Sequence, residues 1–186
     1  MSATLHKSVI DEAVAASMQS PCVSKRGVVI VDELSNLRAV GFNDQPRPFV
    51  CDGSEHCKKN CGKTAVHAEQ AALLKLNGES SNRHGWYMLH VKAKDEMPCA
   101  SMAPSCLECS KLILASGIPW MHLLHDPNAQ MLHGATVVGE TRGFLSDGSV
   151  GLVQIRRYSA AHFHYLTAAG WHGIDLCVPE KPRGNQ

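Results

Sequence analysis

Residues 64–70 read TAVHAEQ, and residues 104–109 read PSCLEC. Together these two stretches supply a histidine, two cysteines and a carboxylate close to the histidine. His67, Cys106 and Cys109 are of the residue types that bind zinc, and the Glu69 carboxylate can carry a proton. Catalytic zinc sites use three protein ligands and keep the fourth position open. The two stretches therefore predict a catalytic zinc site, provided that the fold brings them together.

The second stretch is expected to begin a helix. Apolar residues follow it at helical spacing, and Gly117 is a typical stop signal. Cys106 and Cys109 would then lie on one face of the first turn, where the helix dipole favours the thiolate that binds metal. Ser105 is expected to be the N-cap of this helix.

The first stretch is also expected to be helical, from Thr64 as the N-cap to a stop at Gly78. Side chains two residues apart in a regular helix point about 200° away from each other. His67 and Glu69 can therefore address one ion only at a helix start. This geometry predicts that His67 is a ligand and that Glu69 acts on the water at the open position.

Composition limits the classes of function. The chain has 186 residues, of which 44% are hydrophobic and 19% charged, and its net charge is +1. We expect one globular domain over residues 1–186, and the near-neutral charge argues against nucleic acid as the partner. No run is long and apolar enough to span a membrane and the N-terminus does not resemble a signal peptide, so we expect a cytoplasmic protein. The eight cysteines are then expected to be metal ligands or buried thiols.

The rest of the pattern alternates between helices and strands. Runs of β-branched residues bounded by turns predict strands, and apolar residues at helical spacing predict helices. This order predicts an α/β fold in which helices cover a sheet whose later strands are parallel. The predicted helices are 5–18, 64–76, 105–117 and 158–169, and the predicted strands are 27–31, 37–41, 86–91, 120–124 and 174–178.

Two regions interrupt the alternation. Residues 43–63 predict a long loop, and residues 126–157 predict an insertion that contains an inserted or edge hairpin around Asp147-Gly148. The loop could be fixed by a second, structural zinc, with reduced structural cysteines or a disulfide as the alternatives. The candidate ligands of that second zinc are Cys51, His56, Cys57 and Cys61.

The combination of His-x-Glu with Cys-x-x-Cys is the signature of zinc deaminases that act on nucleobases. On these motifs, and on Gly41-Phe42-Asn43 after the second predicted strand, residues 25–124 resemble the cytidine and deoxycytidylate deaminase superfamily, especially the deoxycytidylate (dCMP) branch. One departure from the family pattern is Ser105, which stands where proline usually precedes the first cysteine. Cys99 also follows a proline but lacks the two-residue spacing, so Cys106 and Cys109 remain the predicted ligands.

The resemblance implies a three-layer α/β/α fold with a mixed five-stranded sheet and helices on both faces. It implies one catalytic Zn²⁺, Glu69 as the proton shuttle, and conversion of a cytosine nucleotide or nucleoside, with dCMP favoured, to the uracil form and ammonia. Asn43 is expected to bind the sugar and the Ala68 backbone N–H the pyrimidine carbonyl. A homo-oligomer is implied in the same way. Arg26 is a candidate contact for a substrate phosphate, although a solvated basic surface is the simpler interpretation.

Three other functions remain open from the sequence: a nucleic-acid editing deaminase acting on tRNA or single-stranded DNA, a deaminase of another amino-substituted heterocycle, and a non-enzymatic zinc-binding module. Editing would favour a basic groove with stacking aromatics, yet aromatic residues make up only 5% of the chain. A purely structural zinc site has no need of Glu69.

Overall fold

The structure is a computed structural model, and it describes residues 7–76, 83–101, 105–131 and 134–168. Gly78 and the predicted strand 174–178 lie outside these residues. The described helices are α1 (Lys7–Met18), α2 (Glu55–Thr64), α3 (Ala68–Leu74), α4 (Leu107–Ala115) and α5 (Ala160–Ala168). The strands are β1 (Arg26–Val31), β2 (Leu37–Phe42), β3 (Tyr87–Lys94), β4 (Met97–Cys99), β5 (Trp120–His125), β6 (Thr136–Phe144) and β7 (Val150–Ser159).

Strand β3 is the centre of one mixed sheet. It pairs with β1 in antiparallel fashion along one edge, and β1 pairs with β2 as the predicted hairpin. The other edge of β3 is shared: its first half is parallel to β5, and its second half is antiparallel to β4. Strand β7 pairs with β5 and β6, and β6 reaches β4 through one residue pair. The predicted parallel arrangement holds for β3 and β5, whereas β7 runs antiparallel.

Helices cover both faces of the sheet, so the fold is the predicted three-layer α/β/α arrangement. Alternate side chains of each strand point to opposite faces. On one face, Val29 and Leu89 pack with apolar residues of α1. On the other face, Val28 and Met88 pack with residues of α3, α4 and α5, among them Ile113. The predicted site residues of α3 and α4 are therefore on the same side of the sheet.

Close packing between α3 and β2 depends on Gly41. A Cβ atom there would lie 2.4 Å from the carbonyl oxygen of Ala68 and 2.4 Å from the backbone nitrogen of Ala72. Only a residue without a side chain allows the helix to approach the strand this closely. This approach fixes the start of α3, which carries the histidine of the candidate site.

Several details differ from the sequence predictions. Among the described residues the sheet has seven strands, where the sequence predicted five in all: β4 and the β6–β7 hairpin join four of the predicted strands. The predicted loop 43–63 contains helix α2, whose N-cap Ser54 accepts a hydrogen bond from the Cys57 N–H. Thr64 ends α2 and is not the N-cap of the next helix, since that position belongs to His67. Tyr158, the first residue of the last predicted helix, is in β7.

The hairpin within residues 126–157 forms around Asp147-Gly148 as predicted. Its second strand, β7, is inside the sheet and pairs with six consecutive residues of β5, from Trp120 to His125. Buried Arg156 supports this region by donating hydrogen bonds to the backbone carbonyls of Asp126, Ala129 and Gln130. The hairpin is thus part of the sheet and not an attachment to its edge.

Candidate active site

His67 occupies the N-cap of α3. Its backbone is extended, with φ −73° and ψ 154°, and its N–H donates to the Gln70 side chain over 3.0 Å. The preceding residue, Val66, is held by two backbone hydrogen bonds to Asp44. Because an N-cap residue lies outside the regular helical turn, His67 is freed from the 200° separation from Glu69 that a continuous helix would impose.

Cys106 occupies the same position on α4, with φ −65° and ψ 164°, and Cys109 follows inside the helix. The structure brings these cysteines to His67: its Nδ1 lies 3.3 Å from Cys106 Sγ and 3.3 Å from Cys109 Sγ. Ligand atoms in tetrahedral zinc sites are separated by roughly 3.5–3.8 Å, as Zn–N and Zn–S lengths require. The three residues therefore fit a zinc ion. Cys106, not Ser105, is the N-cap of this helix.

Glu69 is buried beside this group, with 3% of its surface exposed. The Ser105 hydroxyl donates a hydrogen bond to Glu69 Oε1. His90 Nδ1 lies 3.3 Å from the same oxygen. Burial raises the pKa of Glu69, but His90, the Ser105 hydroxyl, the Glu69 backbone and His67 together lower it by more, so the net shift of this pKa is downward. The carboxylate is thus kept ionised, as a proton acceptor must be.

Glu69 also affects the Cys109 thiol. Burial raises the pKa of the Cys109 thiol, and the neighbouring Glu69 and Cys106 raise it further. A cation bound between these groups would relieve that penalty, since it favours the thiolate.

His90 is a site residue that sequence reasoning missed. It lies on β3 rather than in either motif, and its ring is buried with 6% exposure. Among the described residues, neither ring nitrogen has a hydrogen-bond partner. Burial lowers the pKa of His90 and Arg26 lowers it further, although Glu69 raises it, so the imidazole is neutral. The spacing of His90 from the two motifs could not predict its place in the site, because only strand pairing brings His90 to Glu69.

A cavity of about 560 Å³ opens onto these residues. Its walls include all three residues predicted to bind substrate, Asn43, Ala68 and Arg26, together with His67 and Glu69. Ligand cavities for small molecules are typically 300–1,000 Å³. The size and lining of this cavity suit one nucleotide-sized molecule.

Asn43 is already engaged by the protein. Its Oδ1 accepts from the Arg26 backbone N–H over 2.8 Å, and its Nδ2 donates to the Ser24 carbonyl over 2.9 Å. The Asn43 carbonyl accepts from the Ser20 hydroxyl over 2.6 Å. The side chain therefore ties the end of β2 to the start of β1, in addition to lining the cavity.

Arg26 reaches across to Ser101, with Nη1 3.4 Å from the Ser101 hydroxyl. Burial lowers the pKa of Arg26, while Glu69 and Cys99 raise it. Arginine stays protonated at neutral pH in any such environment, so this residue places a positive charge on the cavity wall.

A second group of sulfur atoms lines the same cavity. Cys22 Sγ lies 3.2 Å from Cys61 Sγ, and Cys51 Sγ lies 3.1 Å from Cys57 Sγ. The Cys22, Cys51 and Cys61 sulfurs are all within 4.8 Å of one another. Burial raises the pKa of Cys22 to about 12, and Cys61 adds to the shift. We call Cys22, Cys51, Cys57 and Cys61 the thiol cluster.

The thiol cluster corrects one sequence prediction. His56 is exposed, and its Nε2 lies 3.3 Å from Asn60 Nδ2 rather than among the sulfurs. Consecutive residues of a helix point in directions about 100° apart, so His56 and Cys57 on α2 cannot both face one ion. Cys22, from the segment before β1, stands where His56 was expected. Cys22 is far along the chain from the cysteines of the loop, so local spacing could not predict that it joins them.

Neither a family model nor a curated protein matches the sequence. Two solved structures similar to this chain are of dCMP deaminases. The dCMP deaminase from the cyanophage S-TIM5 in apo form has 24% identity and a TM-score of 0.43, over 61% of this chain and 76% of the deaminase chain. The same enzyme in complex with dCMP and dUMP has 21% identity and a TM-score of 0.41, over 62% and 79%. At these identities and TM-scores the likeness concerns the fold alone.

Within the described part of the chain, every helix is too short or too polar to cross a membrane.

Proposed function

We propose that this protein is a zinc-dependent hydrolytic deaminase that converts a cytosine nucleotide, with dCMP as the favoured substrate, to the uracil form. The observation that carries the proposal is the placement of a buried carboxylate, Glu69, beside the group of His67, Cys106 and Cys109 at the wall of a cavity. A structural zinc site needs no such proton carrier, whereas hydrolysis of an amidine-like carbon does.

His67, Cys106 and Cys109 would hold the zinc. Zinc bound by three protein ligands supplies a Lewis acid that lowers the pKa of water to about 7. Glu69 then has two tasks that its position supports. Its carboxylate accepts a proton from the attacking water and delivers it to the ring nitrogen next to the amino-bearing carbon. It also transfers a proton to the departing amino group, so that one water is consumed and one ammonia is released.

The cavity supports a free nucleotide as the substrate. Its volume of about 560 Å³ suits a small molecule. Arg26 would pair with an anionic group of the substrate, for which a guanidinium is well suited. Ala68 is the first residue of α3, where backbone N–H groups lack helical partners and can bind a carbonyl oxygen. Asn43 would contact the sugar with the hydrogen-bonding capacity that its backbone contacts leave.

A substrate panel tests the proposal. The purified protein is assayed for ammonia release on dCMP, deoxycytidine, cytosine and a cytosine-containing oligonucleotide, with and without a chelator. We expect dCMP to react fastest and chelation to abolish turnover. Turnover of the oligonucleotide alone would instead make the protein an editing deaminase, and failure of every substrate would contradict the proposal.

Two variants divide the chemical roles in this assay. Glu69→Gln should lower kcat by about 10³-fold or more while the zinc content stays the same, because the amide cannot accept a proton. Arg26→Ala should raise KM for dCMP by at least about tenfold and change KM for deoxycytidine little, because only dCMP carries the phosphate. Equal effects on both substrates would remove Arg26 from phosphate binding.

The thiol cluster would hold a second, structural zinc. Four thiolates close a tetrahedral site without an open position, as structural zinc sites require. Such a site needs reduced cysteines, which agrees with the cytoplasmic location proposed from the sequence. Elemental analysis should find two zinc ions per chain. The homo-oligomer remains a prediction that light scattering at several protein concentrations would test.

A further inference from the structure

Among the described residues that line the cavity, His90 is the one buried histidine. It is neither a predicted zinc ligand nor part of the thiol cluster. Buried polar groups are normally hydrogen-bonded, so each exception calls for an explanation. His90 Nδ1 lies 3.3 Å from Glu69 Oε1, a close polar contact that is not aligned as a hydrogen bond. This inference rests on the deaminase function proposed above.

We infer that His90 is a positioning residue for the proton carrier: its ring confines Glu69 Oε1 from the sheet side, with Nδ1 3.3 Å away and able to donate once aligned, while the Ser105 hydroxyl holds the same oxygen from the α4 side. A glutamate side chain has three rotatable bonds, and a proton carrier must stay within hydrogen-bond reach of the groups it serves. Two contacts from separate elements remove most of that freedom before substrate binds.

The strand position of His90 makes this contact firm. The residue pairs with Val28 of β1 on one side and with Leu123 of β5 on the other, so its backbone is fixed along both edges. Strand-held side chains are placed more precisely than loop side chains. The neutral state of the ring suits the role, because a neutral imidazole with its proton on Nδ1 donates to a carboxylate without neutralising it.

The inference is tested by substitutions of His90 that place a side-chain amide at different positions. Asparagine places its amide near the position of the imidazole Nδ1, whereas glutamine places its amide near Nε2. His90→Leu removes both polar positions at similar volume. We expect His90→Leu and His90→Gln to lower kcat on dCMP by about 10- to 100-fold, with KM and zinc content within about twofold of the unsubstituted protein. His90→Asn should recover most of the lost kcat.

His122 supplies the matched control. It is likewise buried, with 5% exposure, and neither of its ring nitrogens has a hydrogen-bond partner among the described residues. It stacks on Tyr87 at 4.5 Å and does not line the cavity. His122→Leu should leave kcat unchanged. An unchanged kcat in His90→Leu, equal recovery by glutamine and asparagine, or an equal loss in His122→Leu would each overturn the inference.

A second readout does not depend on turnover. Thermal midpoints are measured for the unsubstituted protein, His90→Asn, Glu69→Gln, His90→Leu and the double variant His90→Leu with Glu69→Gln. If the two side chains contact each other, the shifts of the single variants do not sum to the shift of the double variant. Additive shifts would exclude the contact. This measurement also separates the two proposals, since it stands even if no substrate is turned over.

Discussion

The two groups of ligands on the cavity wall are built in different ways. His67 and Cys106 are N-cap residues of helices that pack on the sheet, and Cys109 is one turn into the second helix. The thiol cluster combines Cys22, from the segment before β1, with Cys51 in a loop and two cysteines of α2. Helix starts that pack on a sheet hold their side chains in fixed directions, whereas the loop that carries Cys51 has no such support from the sheet.

The two groups also differ in their surroundings. The first has a buried carboxylate beside it, held by Ser105 and His90. In the thiol cluster, the sulfurs of Cys22, Cys51 and Cys61 lie within 4.8 Å of one another and Cys57 Sγ lies 3.1 Å from Cys51 Sγ, so four thiolates are at hand for the proposed structural ion. The comparison teaches that ligand type alone does not separate a catalytic site from a structural one. The separation comes from the open position and from a proton carrier placed next to it.

The largest expected effect comes from exchanging one ligand in each group. His67→Ala should lower kcat by at least about 10⁴-fold and remove one of two zinc ions, because both the Lewis acid and its position are lost. Cys61→Ser should also remove one zinc ion but lower kcat by no more than about tenfold. Steady-state assays and elemental analysis of the two variants measure this contrast. Equal losses of kcat would mean that both groups take part in the chemistry.

A smaller effect is expected on stability when the thiol cluster is broken. Cys22→Ser should lower the thermal midpoint by about 5–10 °C, because the ion that joins Cys22 to the loop and α2 is lost. Cys99→Ser is the control: Cys99 is buried on β4, and its sulfur belongs to neither group. The zinc content of Cys99→Ser should equal that of the unsubstituted protein. A Cys22→Ser protein that keeps two zinc ions would return His56 to consideration as a ligand.

The last expected contrast is in how the zinc affinity of the two groups responds to pH. Metal must displace the thiol protons, and burial raises the pKa of Cys22 to about 12, so this thiol is protonated in the metal-free protein at neutral pH. The thiol cluster has four thiols to deprotonate and the first group two. As pH falls from 8 to 7, zinc affinity should therefore fall more steeply for the thiol cluster, by up to about four orders of magnitude against about two.

Competition with a chelator measures this difference, with Cys61→Ser retaining only the first site and His67→Ala only the second. Parallel pH dependence in the two variants would contradict the assignment of four thiolates to the second ion.

The sequence could predict what depends on local spacing. The separation of Cys106 from Cys109 places both at a helix start, and the conflict between His67 and Glu69 in a continuous helix already required a helix start near His67. The precise cap positions were wrong by one residue at Ser105 and three at Thr64, because each ligand itself takes the cap. These errors change the boundaries of the helices and not the ligands that the fold brings together.

What the sequence could not predict depends on contacts between distant segments. Cys22 joins the thiol cluster from 39 residues before Cys61, and His90 reaches Glu69 only through the pairing of β3 in the sheet. The sequence predicts a loop where α2 lies, because the residues of α2 are mostly polar, include Gly62 and form no apolar stripe. Its stability comes from the Ser54 cap and from packing that local patterns do not report.

Asn43 connects the end of β2 with the segment that precedes β1, and both line the cavity. It binds Ser24 and the backbone of Arg26, and it accepts from the Ser20 hydroxyl, which in turn accepts from the Cys22 N–H. The Asn43 side chain holds Ser24, two residues after Cys22, so a random-mutagenesis screen for lost substrate recognition should also select Asn43 variants in which the Cys22 segment is displaced and the proposed second zinc is lost. Measuring metal content alongside KM would assign such variants to the framework of the cavity instead of to its ligand.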